Sequence, residues 1–218
     1  MKETKETDVM IKIEPLQMET IAIPVKNLLG SPLVQNRFSE KARMQMQQTH
    51  EAGQTAKSRK VKAPRDFEKE CKQAAHISKE GWYGIPCTAF KNSMVDACRV
   101  TGYVMTTAKQ AFFILPDGVG VDGEALVKII GDPHTDIRAV RNSGAGAKAD
   151  LRARPMFEDW SATVNIRFNS KMLTQTDIAN LLEAAGLSCG LLEGRPSSKM
   201  SKGLGWGMFE IEKGESND

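Results

Sequence analysis

The strongest constraint in this sequence is the unbroken alternation over residues 161–168, where Ala162, Val164, Ile166 and Phe168 all fall on one side. A strand has a side-chain period of two, so this stretch is predicted to lie with one face on a core. The next residues narrow the choice. Thr174 stands where a helix N-cap belongs and Asp177 comes three residues later, a capping box. Ile178, Leu181, Leu182 and Ala185 then make an apolar stripe, with Gly186 predicted as its stop. A stretch rich in glycine and positive charge, 190–207, leads to a last strand over 208–211.

Upstream the same two periods recur. Residues 19–27 carry Ile21, Ile23 and Val25 on one face and Pro24 on the other, which predicts a strand at an edge or a bulge; 9–14 reads as a preceding strand. After Pro86, Phe90, Met94, Ala97 and Cys98 recur at helical spacing and Gly102 closes the helix. The short apolar runs 111–115 and 125–130, bounded by turn residues, read as strands. Stripped of insertions the order is βαββαβ: 19–27, 88–102, 111–115, 161–168, 174–186 and 207–212. That order predicts an α+β fold with a ferredoxin-like core, a four-stranded antiparallel sheet carrying two helices on one face, as in RNA-recognition modules. The expected domain is 15–212, with insertions at about 32–79 and 117–154, an N-terminal tail over 1–14 and an acidic tail over 213–218.

The chain has 218 residues, 40% of them hydrophobic, which supplies a core for one elaborated domain. Its 30 Lys and Arg against 27 Asp and Glu leave a net charge of +3, so partners must be read from where the charge sits. Three segments concentrate it. Lys57, Arg59, Lys60, Lys62 and Arg65 fall in 52–65 without an acidic residue, between Gly53 and Pro64 in a predicted exposed loop. Arg138, Arg141, Lys148, Arg152 and Arg154 surround a Gly- and Ala-rich stretch, 142–149, read as mobile, with Asp150 opposing them. Arg195, Lys199 and Lys202 lie among Gly194, Gly203, Gly205 and Gly207, where backbone N–H groups can approach a phosphate closely. Together these segments predict a groove for a nucleic-acid backbone. Trp206 has two readings, a ring that stacks on a base or one that packs in the core.

Catalysis and metal binding find no support in the spacing. Cys71, Cys87, Cys98 and Cys189 form no C-x-x-C pair and are expected as reduced, mostly buried thiols; His50, His76 and His134 complete no zinc signature. The three histidines fall in loop-like segments and read as surface residues. Glu158 and Asp159 are adjacent before a strand, so their side chains diverge. No catalytic residue, metal or cofactor is expected. Residues 1–8 alternate Lys with acidic residues, unlike a secretory signal, and no run reaches the length of a membrane span, so the expectation is a cytoplasmic protein without a membrane partner.

Gly84-Ile85-Pro86-Cys87-Thr88-Ala89-Phe90-Lys91, Glu193-Gly194-Arg195-Pro196 and Gly205-Trp206-Gly207-Met208-Phe209 resemble segments of a group of uncharacterised bacteriophage proteins. The element order, the large insertion after the first strand and the Gly-rich loop before the last strand resemble the Cas7-like RAMP proteins, the RNA-binding backbone of CRISPR effector complexes. This resemblance spans about 15–211. It implies a non-enzymatic, phage-encoded protein of the host cytoplasm that coats single-stranded RNA or DNA as a head-to-tail homo-oligomer. The alternative it implies is an interaction protein that mimics or blocks a subunit of a host defence complex. A RAMP-type endoribonuclease ranks last, for want of an acid/base pair.

Overall fold

The computed structural model describes residues 14–37, 65–141, 149–198 and 203–213. In chain order they form β1 (Met18–Asn27), β2 (Leu33–Val34), α1 (Phe67–Ala74), β3 (Gly84–Pro86), α2 (Cys87–Thr101), α3 (Met105–Ala111) and β4 (Phe112–Leu115). Next come β5 (Gly118–Val119), β6 (Ala125–Ile130), β7 (His134–Arg141), β8 (Ala149–Phe157), β9 (Ser161–Asn169), α4 (Gln175–Ser188) and β10 (Phe209–Ile211). The chain is a mixed α and β protein with antiparallel sheets.

The alternating stretch becomes β9, the centre of the larger sheet. It pairs with β1 from Ser161 opposite Lys26 to Asn169 opposite Met18. Its other edge is shared by β4, with Phe112 opposite Phe168, and β6, with Ile129 opposite Ala162. β10 closes on the far side of β1, and β3 and β5 extend the sheet from β6. Helices α2 and α4 pack against each other, and Phe90, Met94, Ile178 and Leu182 join Val25, Val164, Ile166 and Phe168 in one core. Phe90 and Trp160 meet Phe209 edge to face, with ring centroids 5.8 and 6.3 Å apart, which fastens β10 into it.

Two local expectations change. β1 is not an edge strand: it lies between β10 and β9. Pro24 is tolerated because its carbonyl, and hence its missing N–H, face β10 where that pairing ends; Glu212 N donates to Pro24 O at 2.9 Å. Gly186 does not stop α4, which runs on to Ser188. It is buried in the helix because a methyl group there would overlap the Phe209 backbone carbonyl. Gly102 does end α2, in the left-handed conformation at φ 75°.

Of the expected insertions, β5 and β6 join the larger sheet, which has seven strands among the described residues rather than the four expected, and β2, β7 and β8 build a second sheet in the order β2–β8–β7. It is tied to the core by Leu33 and Phe157, whose ring meets Tyr83 at 5.5 Å, and α1 packs on β8 and β7. Asp66 caps α1 by accepting from Lys69 N, and Arg65 beside it donates to Glu70, Asp150 and the Leu151 carbonyl. Among the described residues no helix is long and apolar enough to cross a membrane.

Candidate nucleic-acid interface

The hairpin β7–β8 positions the second basic cluster by register. Asp136 lies opposite Arg154 and Arg138 opposite Arg152, so these four side chains share one face. Under that face lies Trp206. Its ring is buried against Val34 and Met156, and the Arg138 and Arg154 guanidinium carbons stand 4.9 and 5.8 Å from the ring centroid. Gly194 is required on the other side, since a side chain there would overlap the indole. The hairpin and the Gly-rich loop, far apart in sequence, are thus joined at one tryptophan. Within this arrangement the ring is a packed floor, not an open stacking platform.

The arginines divide by burial. Arg154 is buried, with Nη1 3.3 Å from Glu193 Oε1 and Nη2 3.8 Å from Asp136 Oδ2. Burial pushes its pKa below the ordinary guanidinium value, against the pull of Glu193 and Asp136. Among the described residues Arg154 Nε and Asp136 Oδ2 have no hydrogen-bond partner. Arg154 therefore acts as the inner tie between hairpin and loop. Arg138 is exposed and donates from Nε to Asp136 Oδ1 at 2.7 Å; Arg152, across from it, is half-buried. Arg141 pairs with Ala149 where the described part of the hairpin ends. Lys57, Arg59, Lys60, Lys62, Lys148, Lys199 and Lys202 lie outside the described residues, as do His50 and residues 9–13 of the strand expected over 9–14.

Arg195 sits apart from this face, in a cleft of about 260 Å³. One wall is the exposed flank of α2, where Thr88, Asn92 and Asp96 recur at intervals of four with Ala89 and Ser93 beside them. The other comprises Gly190, Leu192 and Arg195 of the Gly-rich loop, with His76 and Glu124 at the end. Arg195 Nη1 donates to the Leu192 carbonyl at 2.8 Å, so the loop itself holds the guanidinium. His76 Nδ1 lies 2.8 Å from Glu124 Oε2, and its backbone N–H donates to Gln35 Oε1. Burial lowers the His76 pKa, outweighing the nearby Glu124 carboxylate.

The sequence does not reveal this histidine and carboxylate as a pair. They are separated by 48 residues and meet because residues 77–79 pair with 119–121, Val121 N donating to Ile77 O and Lys79 N to Val119 O, while Gln35, bonded to Pro155 O and Gly84 O, holds the His76 backbone. His76 is half-buried at the cleft, whereas His134 is exposed, 3.7 Å from Glu158. All four cysteines are buried and free. Among the described residues no group of three or more His, Cys, Asp or Glu is placed to hold a metal ion. Neither the protein-family models nor the curated proteins contain a match to this chain.

Proposed function

We propose that this chain is a non-enzymatic protein that binds single-stranded RNA or DNA through backbone contacts, on a ferredoxin-like core. The fold reading is supported by the strand order β10–β1–β9–β4 with α2 and α4 packed together, the order that a βαββαβ chain adopts when its two halves interlock. The binding reading rests on one observation. The basic β7–β8 hairpin packs on Trp206 of the Gly-rich loop, so that Arg138 and Arg152 share the face above the ring and Gly194 borders it.

A strand lying on that face would meet guanidinium groups suited to bidentate phosphate contact, that of Arg138 already oriented by Asp136 and the indole. Affinity would come mainly from counterion release, with strong salt dependence. The Cas7-like resemblance adds head-to-tail assembly, a heterologous contact that propagates along the strand without closing into a dimer.

A gel shift at low salt, with single-stranded RNA, single-stranded DNA and duplex competing, tests the reading. Preferential shift of the single strands into species whose size grows with strand length is the expected result. Absence of any shift would overturn it and favour the alternative of a protein that engages a host defence complex.

A further inference from the structure

We infer that the cleft between α2 and the Gly-rich loop is a binding pocket for one unstacked nucleobase of the bound strand, with guanine preferred. The inference rests on the single-strand reading above and adds to it a site that reads a base. Three observations lead there.

The first is continuity. Glu193, which holds Arg154 at the arginine face, is two residues from Arg195 in the cleft, so the two sites lie within about 8 Å of backbone. Glu193 N donates to Val34 O, which fixes this short piece of loop as the wall between them. A strand with its phosphates on Arg138 and Arg152 can therefore turn one base over that wall.

The second is size. Ligand pockets for drug-sized molecules run from roughly 300 to 1,000 Å³, so a cleft of about 260 Å³ suits a single flat heterocycle rather than a whole nucleotide with its phosphate. Pro86, Ala89 and Leu192 offer apolar contact for its faces.

The third is charge. Among the described residues the cleft sets the carboxylates of Asp96 and Glu124 against the guanidinium of Arg195, a balance that disfavours a phosphate. Burial favours the neutral form of His76, and with Nδ1 against Glu124 the other ring nitrogen, Nε2, is the one left for a ligand. The matching ligand is a neutral group that offers adjacent N–H donors to a carboxylate and acceptors to a guanidinium. Guanine does both: N1–H and N2–H₂ face Asp96, while O6 and N7 accept from Arg195, a pairing of guanidinium with guanine known for its selectivity. Adenine and cytosine each offer one amino group, and uracil none. Asp96 also lies 3.7 Å from Arg99 on the helix surface, a contact that leaves the carboxylate at the cleft.

The test uses the full chain and short single-stranded RNAs identical except for one central base, guanine, adenine, cytosine or uracil in turn. Wild type is expected to favour guanine by roughly tenfold. Asp96→Asn and Ala89→Phe, the second filling the cleft, are expected to remove that preference while the salt-dependent affinity for all four strands persists. Melting curves check that each variant is folded. Guanosine alone, titrated by NMR against adenosine, provides an arm that needs no strand. If strand binding fails altogether, guanosine binding that Asp96→Asn abolishes still supports the pocket and overturns only the single-strand reading. Equal affinity for all four RNAs together with no guanosine binding overturns the pocket and leaves the single-strand reading standing. A guanine preference unchanged in both variants also overturns it, since the base is then read elsewhere.

Discussion

Trp206 is the residue on which the second sheet and the Gly-rich loop depend together. Its ring fills the space between Val34, Met156 and Gly194 and carries two guanidinium groups above it. Trp206→Ala is expected to cost about 3–5 kcal/mol of stability, the range for truncating a buried aromatic. Trp206→Phe, which keeps an aromatic floor, should cost less; chemical denaturation of both variants measures the order. A melt unchanged by Trp206→Ala, with binding lost, would make the ring a stacking platform instead.

Buried Cys87 and half-buried Lys91 each contribute to the pH response. Burial pushes the Cys87 thiol up to about 11, so its stabilising contribution is complete below the unfolded value near 9 and is lost as pH rises toward 11. Burial draws Lys91 down to about 8, and its ammonium, which donates to the carbonyls of Ala108, Lys109 and Phe112, sits over the Phe112 ring. In that group the unfolded chain binds the extra proton between about pH 8 and 10.5, so its contribution rises across that window and is lost as pH falls through it. Denaturation at several pH values should show wild type gaining on Lys91→Met from pH 8 to 10.5 and losing ground to Cys87→Ala from pH 9 to 11.

At the scale of elements, the contact between α4 and β10 carries a prediction that runs against propensity. Alanine favours a helix over glycine by roughly 1 kcal/mol, yet Gly186 faces the Phe209 carbonyl with no room for a methyl group. Gly186→Ala is therefore expected to destabilise by about 1–3 kcal/mol through overpacking, read by urea titration. A gain in stability would mean that β10 is free to move away. The same contact shows what is legible in the sequence and what is not. β9, α4 and its Thr174–Asp177 capping box are legible because period and cap are local signals. Gly186 reads as a stop because glycine near the end of a periodic stretch usually is one; the reason it is internal lies in a strand more than twenty residues away. For the same reason β2, β3 and α3 leave no signal in the pattern. They are two, three and seven residues long, too short for a period, and tertiary partners define them.

For the whole molecule, the candidate site is legible in the sequence as a set of charges but not as a surface. Arg138, Arg152, Arg154, Arg195 and Trp206 all stand out as basic or aromatic residues near glycine. Cross-strand register and burial then separate them, with Arg154 and Trp206 inside, Arg138 outside, and Arg195 in a different cleft. The central claim is that the face of β7–β8 above Trp206 binds a single strand by its phosphates. Its most direct test is fluorescence anisotropy of a labelled single-stranded RNA over a series of salt concentrations, with wild type and with Arg138→Gln combined with Arg152→Gln, glutamine keeping a donor for Asp136. The account predicts salt-dependent binding by wild type. In the double variant the slope of log affinity against log salt should be shallower by roughly 1.4, about 0.7 per lost phosphate contact on a single strand, with a cooperative melt showing that the variant is folded at the temperature of the titration. Wild-type binding that ignores salt, or a double variant with the same affinity and slope as wild type, would contradict it.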